Sequence, residues 1–121
     1  MDSLRKLEWI GSSLKDLKSF PVEVQRDVGF ALYFAQDGLK HPSAKPLKGF
    51  GSANVLEVVE SFDGNAYRAV YTVRFPEQVY VLHCFHKKST SGVSTPKHDI
   101  ELIKSRLKIA EERYAEWKRT K

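Results

Sequence analysis

The chain has 121 residues, a length that fits one domain, residues 1–121, with a modest hydrophobic core. Its single cysteine, Cys84, excludes an internal disulfide and a metal site built from several cysteines. No apolar run is long enough for a signal peptide or a membrane span, so we expect a cytoplasmic protein with no membrane partner.

The net charge of +5 comes entirely from the second half of the chain. Residues 1–60 carry eight lysines and arginines and eight acidic residues, whereas residues 61–121 carry twelve and seven. A basic surface on one side favours nucleic acid or an acidic protein as partner. A soluble protein with a basic tail explains the charge equally well.

The first part of the chain predicts one strand and two helices. Apolar residues at 7–10 predict a short strand, and Ser12 or Ser13 can cap a short helix that ends near residue 18. A second helix is predicted over residues 21–36, ending at Asp37-Gly38, because proline is tolerated at a first helical position. Its apolar stripe consists of Val24, Val28, Ala31, Leu32 and Ala35.

Residues 41–53 contain two prolines and two glycines and predict a loop. Within the loop, the glycines of residues 46–51 would let backbone amides approach an anion. A structural turn is the favoured interpretation, because the segment matches neither a P-loop nor a dinucleotide-binding fingerprint.

Three strands are predicted next, over residues 55–62, 67–75 and 79–88. The short turns at 63–65 and 76–78 indicate an antiparallel meander. Alternation places Arg68 in the middle of the second strand. There it either pairs with an acid such as Glu57 or Glu60 or faces a functional cleft, and the sequence leaves both possibilities open.

The third strand starts apolar and ends in His86, Lys87 and Lys88. Alternation puts Lys87 on the face of Phe85 and His83, and Lys88 on the face of His86 and Cys84. We interpret Cys84 as a small core residue and His83 as a satisfied core histidine. Two histidines three apart on a strand point to opposite faces, so they predict no metal site.

A small polar link at 89–94 leads to Thr95-Pro96, which predicts a helix N-cap followed by a first-turn proline. The last helix then carries a regular apolar stripe consisting of Ile100, Ile103, Leu107, Ala110, Tyr114 and Trp117. The order strand, helix, helix, three strands, helix predicts an α+β domain.

No conventional catalytic or cofactor-binding motif occurs, so no cofactor is expected. A basic and aromatic set on neighbouring strands remains, and it suits RNA. In a metal-independent cleavage, a base would take the proton of the ribose 2′-hydroxyl while cations stabilise the phosphate. The candidate catalytic residues are Arg68, Lys87, Lys88 and His86, and the candidate RNA-binding residues are Lys48, Tyr71 and Phe85.

Several segments together resemble the RelE/ParE superfamily of toxins, in its phage-derived, HigB-like branch. They are residues 67–71, 81–88 and 95–96, with 19–21, 36–38 and 45–51 in the first half. In that resemblance Arg68 matches the arginine of a Tyr-Arg strand motif, and Lys87 and Lys88 match a Lys-Lys pair that ends the last strand. One departure is Glu57-Val58-Val59, where many relatives have Glu-Leu-Arg.

The resemblance implies a RelE/ParE-like small antiparallel sheet with two N-terminal helices and a C-terminal helix (β-α-α-β-β-β-α). It implies the toxin of a type II toxin–antitoxin pair, expected to be an mRNA endoribonuclease that inhibits translation on the ribosome. A cognate antitoxin, expected to be a helix-turn-helix protein, would neutralise it. The alternative is a non-enzymatic binder on the same fold, either a ParE-like gyrase inhibitor or a degenerate toxin that only binds its antitoxin or nucleic acid.

Overall fold

A five-stranded sheet organises the residues that the computed structural model describes, which are 4–88 and 95–121. The strands lie in the order β1 (Lys6–Trp9), β5 (Gln78–Lys88), β4 (Asn65–Thr72), β3 (Val55–Phe62) and β2 (Ala44–Pro46). Three α-helices, α1 (Ser13–Lys18), α2 (Val22–Gln36) and α3 (Lys97–Thr120), and a 3₁₀ helix (Gly51–Ala53) complete the fold. None of the described helices is both long and apolar enough to cross a membrane.

The α+β class and the antiparallel meander of β3, β4 and β5 are confirmed. The sheet is mixed rather than wholly antiparallel, because β1 pairs in parallel with β5, from Lys6 opposite Gln78 to Trp9 opposite Val81. A parallel pair needs a long connection. Here the chain between β1 and β5, which contains both N-terminal helices and the strands β2, β3 and β4, provides that connection.

The segment predicted as a plain loop contributes the fifth strand. Within residues 41–53, β2 pairs antiparallel with β3, with Ala44 opposite Val58 and Pro46 opposite Leu56. The edge of β3 offers unpaired backbone groups, and three residues of the loop satisfy some of them. Pro46 is compatible with this pairing because β2 is itself an edge strand.

The hairpin between β3 and β4 has a two-residue turn. Asp63 and Gly64 both adopt positive φ angles, 50° and 81°, as a tight turn that follows the twist of the strands requires. Phe62 and Asn65 therefore pair directly. For this reason β4 begins two residues earlier than predicted.

The start of α3 differs from the prediction. Its first helical residue is Lys97, and Pro96 occupies the N-cap position without a side-chain cap. Thr95, expected to be the cap, directs its hydroxyl to Glu57 instead. The predicted link at 89–94 lies outside the described residues.

Each face of the sheet has its own hydrophobic core. The helices α1 and α2 cover one face with a core that includes Val28, Leu32, Val58 and Tyr71. Helix α3 covers part of the other face with a smaller core that includes Val70, Leu82, Ile103 and Leu107.

A bulge in β5 brings a polar residue to the α3 face. Val70 pairs with His83, but the next residue, Tyr71, pairs with Val81, so Leu82 is the extra residue. Leu82 and His83 consequently both lie on the α3 face, where Leu82 joins the core and His83 bonds Asp99. Bulges commonly redirect a side chain in this way.

Candidate functional site

Arg68 is held by an acidic residue on the α3 face of the sheet. Its Nη1 donates to Oε2 of Glu57 at 3.1 Å, and the two side chains are only 10% and 14% exposed. Thr95 Oγ1 donates to the same oxygen at 2.8 Å and lies 3.4 Å from Arg68 Nη1. Both possibilities that the sequence left open therefore hold, because Arg68 pairs with Glu57 and also lines a cleft. The pair binds Thr95 as well, two residues before α3 begins.

A cleft of about 470 Å³ opens beside this ion pair. Lys45 lies opposite Glu57 in the β2–β3 pairing, and Lys48 follows β2. The cleft combines three cationic side chains with one carboxylate and one hydroxyl. Its lining consists of Lys45, Pro46, Leu47, Lys48, Glu57, Arg68, Thr95 and Ile100.

Two further predicted site residues share the face of Arg68. Phe85 is directly opposite Arg68 in the β4–β5 pairing, and its half-buried ring stacks on the ring of His83 at 4.5 Å between centroids. Lys87, two residues further along β5, is also half-buried. Alternation along the strand puts it on the same face.

The other three predicted site residues lie on the opposite face. Tyr71 is 1% exposed in the core under α2, where burial raises its pKa to about 12. Such burial is incompatible with the expected contact to RNA. His86 packs against Tyr67 at 5.0 Å between ring centroids, and alternation puts the exposed Lys88 on this same face. The predicted basic and aromatic set is therefore divided by the sheet, because the residues of one strand alternate between its faces.

His83 forms a second polar pair on the α3 face. Its Nε2 lies 2.8 Å from Oδ1 of Asp99, and both residues are buried. Burial lowers the pKa of His83, and the hydrogen bond with Asp99 opposes that effect. The interpretation of His83 as a core histidine is confirmed, but it is only partly satisfied, because its buried Nδ1 has no hydrogen-bond partner among the described residues. Its bond to Asp99 joins β5 to the first turn of α3.

Cys84 is buried on the α2 face, and burial raises the pKa of its thiol to about 12. The interpretation of Cys84 as a small core residue is confirmed. Among the described residues, no three histidine, cysteine, aspartate or glutamate side chains come together as a metal site.

Sequence reasoning missed Lys45 and Thr95 as neighbours of Arg68, and it treated Glu57 only as a partner for Arg68. The sequence predicts Thr95 as the N-cap of α3, and a capping role gives no reason to expect a bond to Glu57. Lys45 lay in an apparent loop, and only the pairing of β2 with β3 brings it next to Glu57.

Comparison with known proteins supports this architecture. Residues 15–108, well over half of the chain, match the model of a family described as phage-derived, Gp49-like proteins. The chain belongs to this family. The Gp49-like family is one of RelE-like toxins, and membership implies an antitoxin partner.

A solved structure shares the fold of this Gp49-like protein. It is a double arginine-to-alanine mutant of the E. coli toxin RelE in the free state, with a TM-score of 0.54 and 17% sequence identity. The similarity covers 88% of this chain and 97% of RelE. No curated protein sequence matched the chain.

Proposed function

We propose that this RelE-like toxin is a metal-independent mRNA endoribonuclease whose site is the cleft beside Glu57 and Arg68. The observation that supports the proposal is the cleft, in which Lys45, Lys48 and Arg68 lie around the carboxylate of Glu57. Cleavage of RNA without a metal needs a proton acceptor and a cation within reach of one phosphate. The cleft contains both.

In the proposed reaction, Glu57 accepts the proton of a ribose 2′-hydroxyl. The 2′-oxygen attacks the adjacent phosphorus, the bond to the 5′-oxygen breaks, and that leaving oxygen takes a proton from solvent. The products are a 2′,3′-cyclic phosphate and a 5′-hydroxyl. Arg68 stabilises the charge that develops on the phosphate oxygens, as preorganised cations do.

The remaining residues of this face bind the RNA. We assign Lys48 and Lys45 to phosphates, because ammonium groups on the wall of the cleft attract the backbone without reading sequence. Phe85 lies opposite Arg68 and would stack on a base, and Lys87 would contact a neighbouring phosphate. His86, Lys88 and Tyr71 have no role in this scheme, because they lie on the other face.

We further propose that the substrate is mRNA on the ribosome, so that cleavage in the cytoplasm inhibits translation. The Gp49-like family supports an antitoxin partner. We propose a helix-turn-helix antitoxin, in keeping with the resemblance of the sequence to the HigB-like branch.

The test is cleavage of a synthetic mRNA by the purified chain, both bound to ribosomes and free in EDTA, with the ends of the products identified. We expect cyclic phosphate ends, and a loss of at least ~100-fold in rate for Glu57→Gln, which keeps the shape of the side chain but removes the base. Lys87→Ala is expected to slow cleavage more than Lys88→Ala. These two lysines are adjacent in sequence and on opposite faces, so they form a matched pair.

Thermal unfolding of each variant shows whether it is folded. Full activity in a folded Glu57→Gln protein would remove Glu57 as the base. Equal effects at Lys87 and Lys88 would exclude a site restricted to one face.

The Glu57–Arg68 ion pair supports a second candidate, a non-enzymatic inhibitor such as a gyrase inhibitor. An arginine that is 10% exposed and bonded to a glutamate can be purely structural, and the pair then only fixes the start of α3. Expression in bacteria separates the candidates. Growth arrest with new 5′ ends in cellular mRNA supports the nuclease, whereas arrest with intact mRNA supports the inhibitor.

A further inference from the structure

Helix α2 is apolar on two sides. One side, with Val24, Val28 and Leu32, packs in the core under the sheet. The outer side carries Phe30 and Tyr33, which are 54% and 52% exposed. Two large aromatic residues exposed next to each other are unusual on a monomer and mark an interaction surface.

The outer residues form a continuous stripe that we call the α2 stripe: Val22, Arg26, Gly29, Phe30 and Tyr33. All five are exposed and recur at the three- and four-residue spacing of one helical face. Arg26, Gly29, Phe30 and Tyr33 surround an open depression of about 390 Å³. Nothing lies within 4 Å of the position that a Cβ of Gly29 would occupy.

We infer that the α2 stripe binds a second copy of this chain, as an antiparallel pair of α2 helices. The four residues around the depression are symmetric about the point between Gly29 and Phe30. A two-fold axis through that point, perpendicular to the helix, places Arg26 of each copy opposite Tyr33 of the other. The same axis brings the two Phe30 rings together.

Each of these contacts is chemically complementary. A guanidinium over a tyrosine ring is a favourable cation–π pair, and two phenylalanine rings stack favourably. Gly29 has no side chain to separate the helices, so the backbones can approach closely. Asp37 follows Tyr33 by one turn and is exposed, which places a carboxylate near the partner's Arg26 as well.

The area of the α2 stripe determines how tightly we expect the two copies to bind. One face of a helix of 15 residues buries less total area than the ~1,200 Å² at which standard interfaces begin. We therefore expect a dimer that forms at micromolar concentrations of the chain.

Sedimentation velocity over a range of concentrations tests the inference. Phe30→Glu is expected to weaken the dimer by at least about tenfold, because two carboxylates would meet at the axis. Leu39→Glu is the matched control, since Leu39 is 57% exposed but lies outside the α2 stripe. A chain that is monomeric at every concentration, or a dimer that tolerates Phe30→Glu, would overturn the inference.

A charge exchange tests the antiparallel geometry. Arg26→Glu and Tyr33→Lys are each expected to weaken the dimer, and together they should restore it, because the new carboxylate and the new ammonium group face each other across the interface. Failure of the double variant to recover would exclude this pairing. A loss of fold cannot explain a recovery.

Cross-linking gives an independent readout. Phe30→Cys, oxidised with copper phenanthroline, is expected to yield a disulfide-linked dimer, whereas Leu39→Cys is not. The natural Cys84 is buried and does not interfere. If the α2 stripe instead binds the antitoxin, the isolated chain stays monomeric and Phe30→Glu abolishes capture of the co-expressed antitoxin, which would also overturn the inference.

Discussion

The two faces of the sheet are built differently. The face under α1 and α2 is covered by an almost wholly apolar core, and one buried polar atom there, the Tyr71 hydroxyl, has no hydrogen-bond partner among the described residues. The face under α3 has an apolar core at one end and two polar pairs near the start of α3, the largely buried Glu57–Arg68 and the buried His83–Asp99.

This difference assigns the two faces different roles, one in the stability of the fold and the other in function. An apolar face gains free energy simply by excluding water. A buried ion pair contributes little net stability, because desolvation offsets much of the attraction between the charges. Groups of this kind next to a cleft are therefore candidates for function, and the apolar face is a candidate for the scaffold that holds them in place.

The largest expected effect on the free energy of unfolding comes from a substitution in the core of the apolar face. Leu32→Ala should lower the free energy of unfolding by ~2–5 kcal/mol, because it leaves a cavity in the core. Leu39→Ala makes the same chemical change at an exposed site and should cost less than ~0.5 kcal/mol. Urea unfolding of both variants measures the difference, and similar values would contradict the assignment of the core to this face.

A somewhat smaller effect is expected at the ion pair. Arg68→Ala should destabilise the fold by ~3 kcal/mol, because it leaves the carboxylate of Glu57 largely buried without its cation. Adding Glu57→Leu should recover most of that loss, since no uncompensated charge then remains. Chemical denaturation of the two variants tests this. If the double variant is less stable than Arg68→Ala alone, the pair stabilises the fold more than we propose.

A pH effect is expected at His83. Burial lowers its pKa in the folded state below the ordinary value of 6.5, so between these two values the unfolded chain binds the proton and the folded chain does not. The contribution of His83 to the free energy of unfolding is therefore fully present above about pH 6.5. It is lost as the pH falls from 6.5 towards the pKa of the folded state. The groups acting on His83 are Asp99 and, more weakly, Arg106 and Asp16.

Unfolding in urea at a series of pH values between 8 and 5 measures this effect. His83→Gln keeps a donor for Asp99 but removes the titrating group. In this variant the free energy of unfolding should therefore change less with pH below about 6.5. An unchanged slope in the variant would assign the pH dependence to other groups.

The smallest effect is expected at Tyr71. Tyr71→Phe removes a buried hydroxyl that has no partner among the described residues, so stability should stay constant or rise by less than ~1 kcal/mol. Toxicity should also be unchanged, because the residue lies on the face away from the cleft. A loss of toxicity with an unchanged melting temperature would contradict the division of the faces.

Local patterns predicted most of the secondary structure. The apolar stripe and Asp37-Gly38 predicted α2 to within one residue, and Gly38, with a φ of 78°, follows the end of that helix. The Asp63-Gly64 turn predicted the hairpin of β3 and β4. These features depend on neighbours within a few positions, so the sequence contains the necessary information.

The residues of the cleft show which contacts local sequence patterns do not predict. The sequence by itself determined the helices, the meander and the exit of β5 into a basic cluster. Alternation also predicted the faces of the strand residues, except that the bulge at Leu82 places the two ends of β5 out of step. Only the tertiary structure decided that β2 pairs with β3, that Thr95 bonds Glu57, and that Tyr71 is in the core rather than in the site. These outcomes depend on contacts between residues distant in the chain, and on which face each helix covers, and no local pattern specifies either.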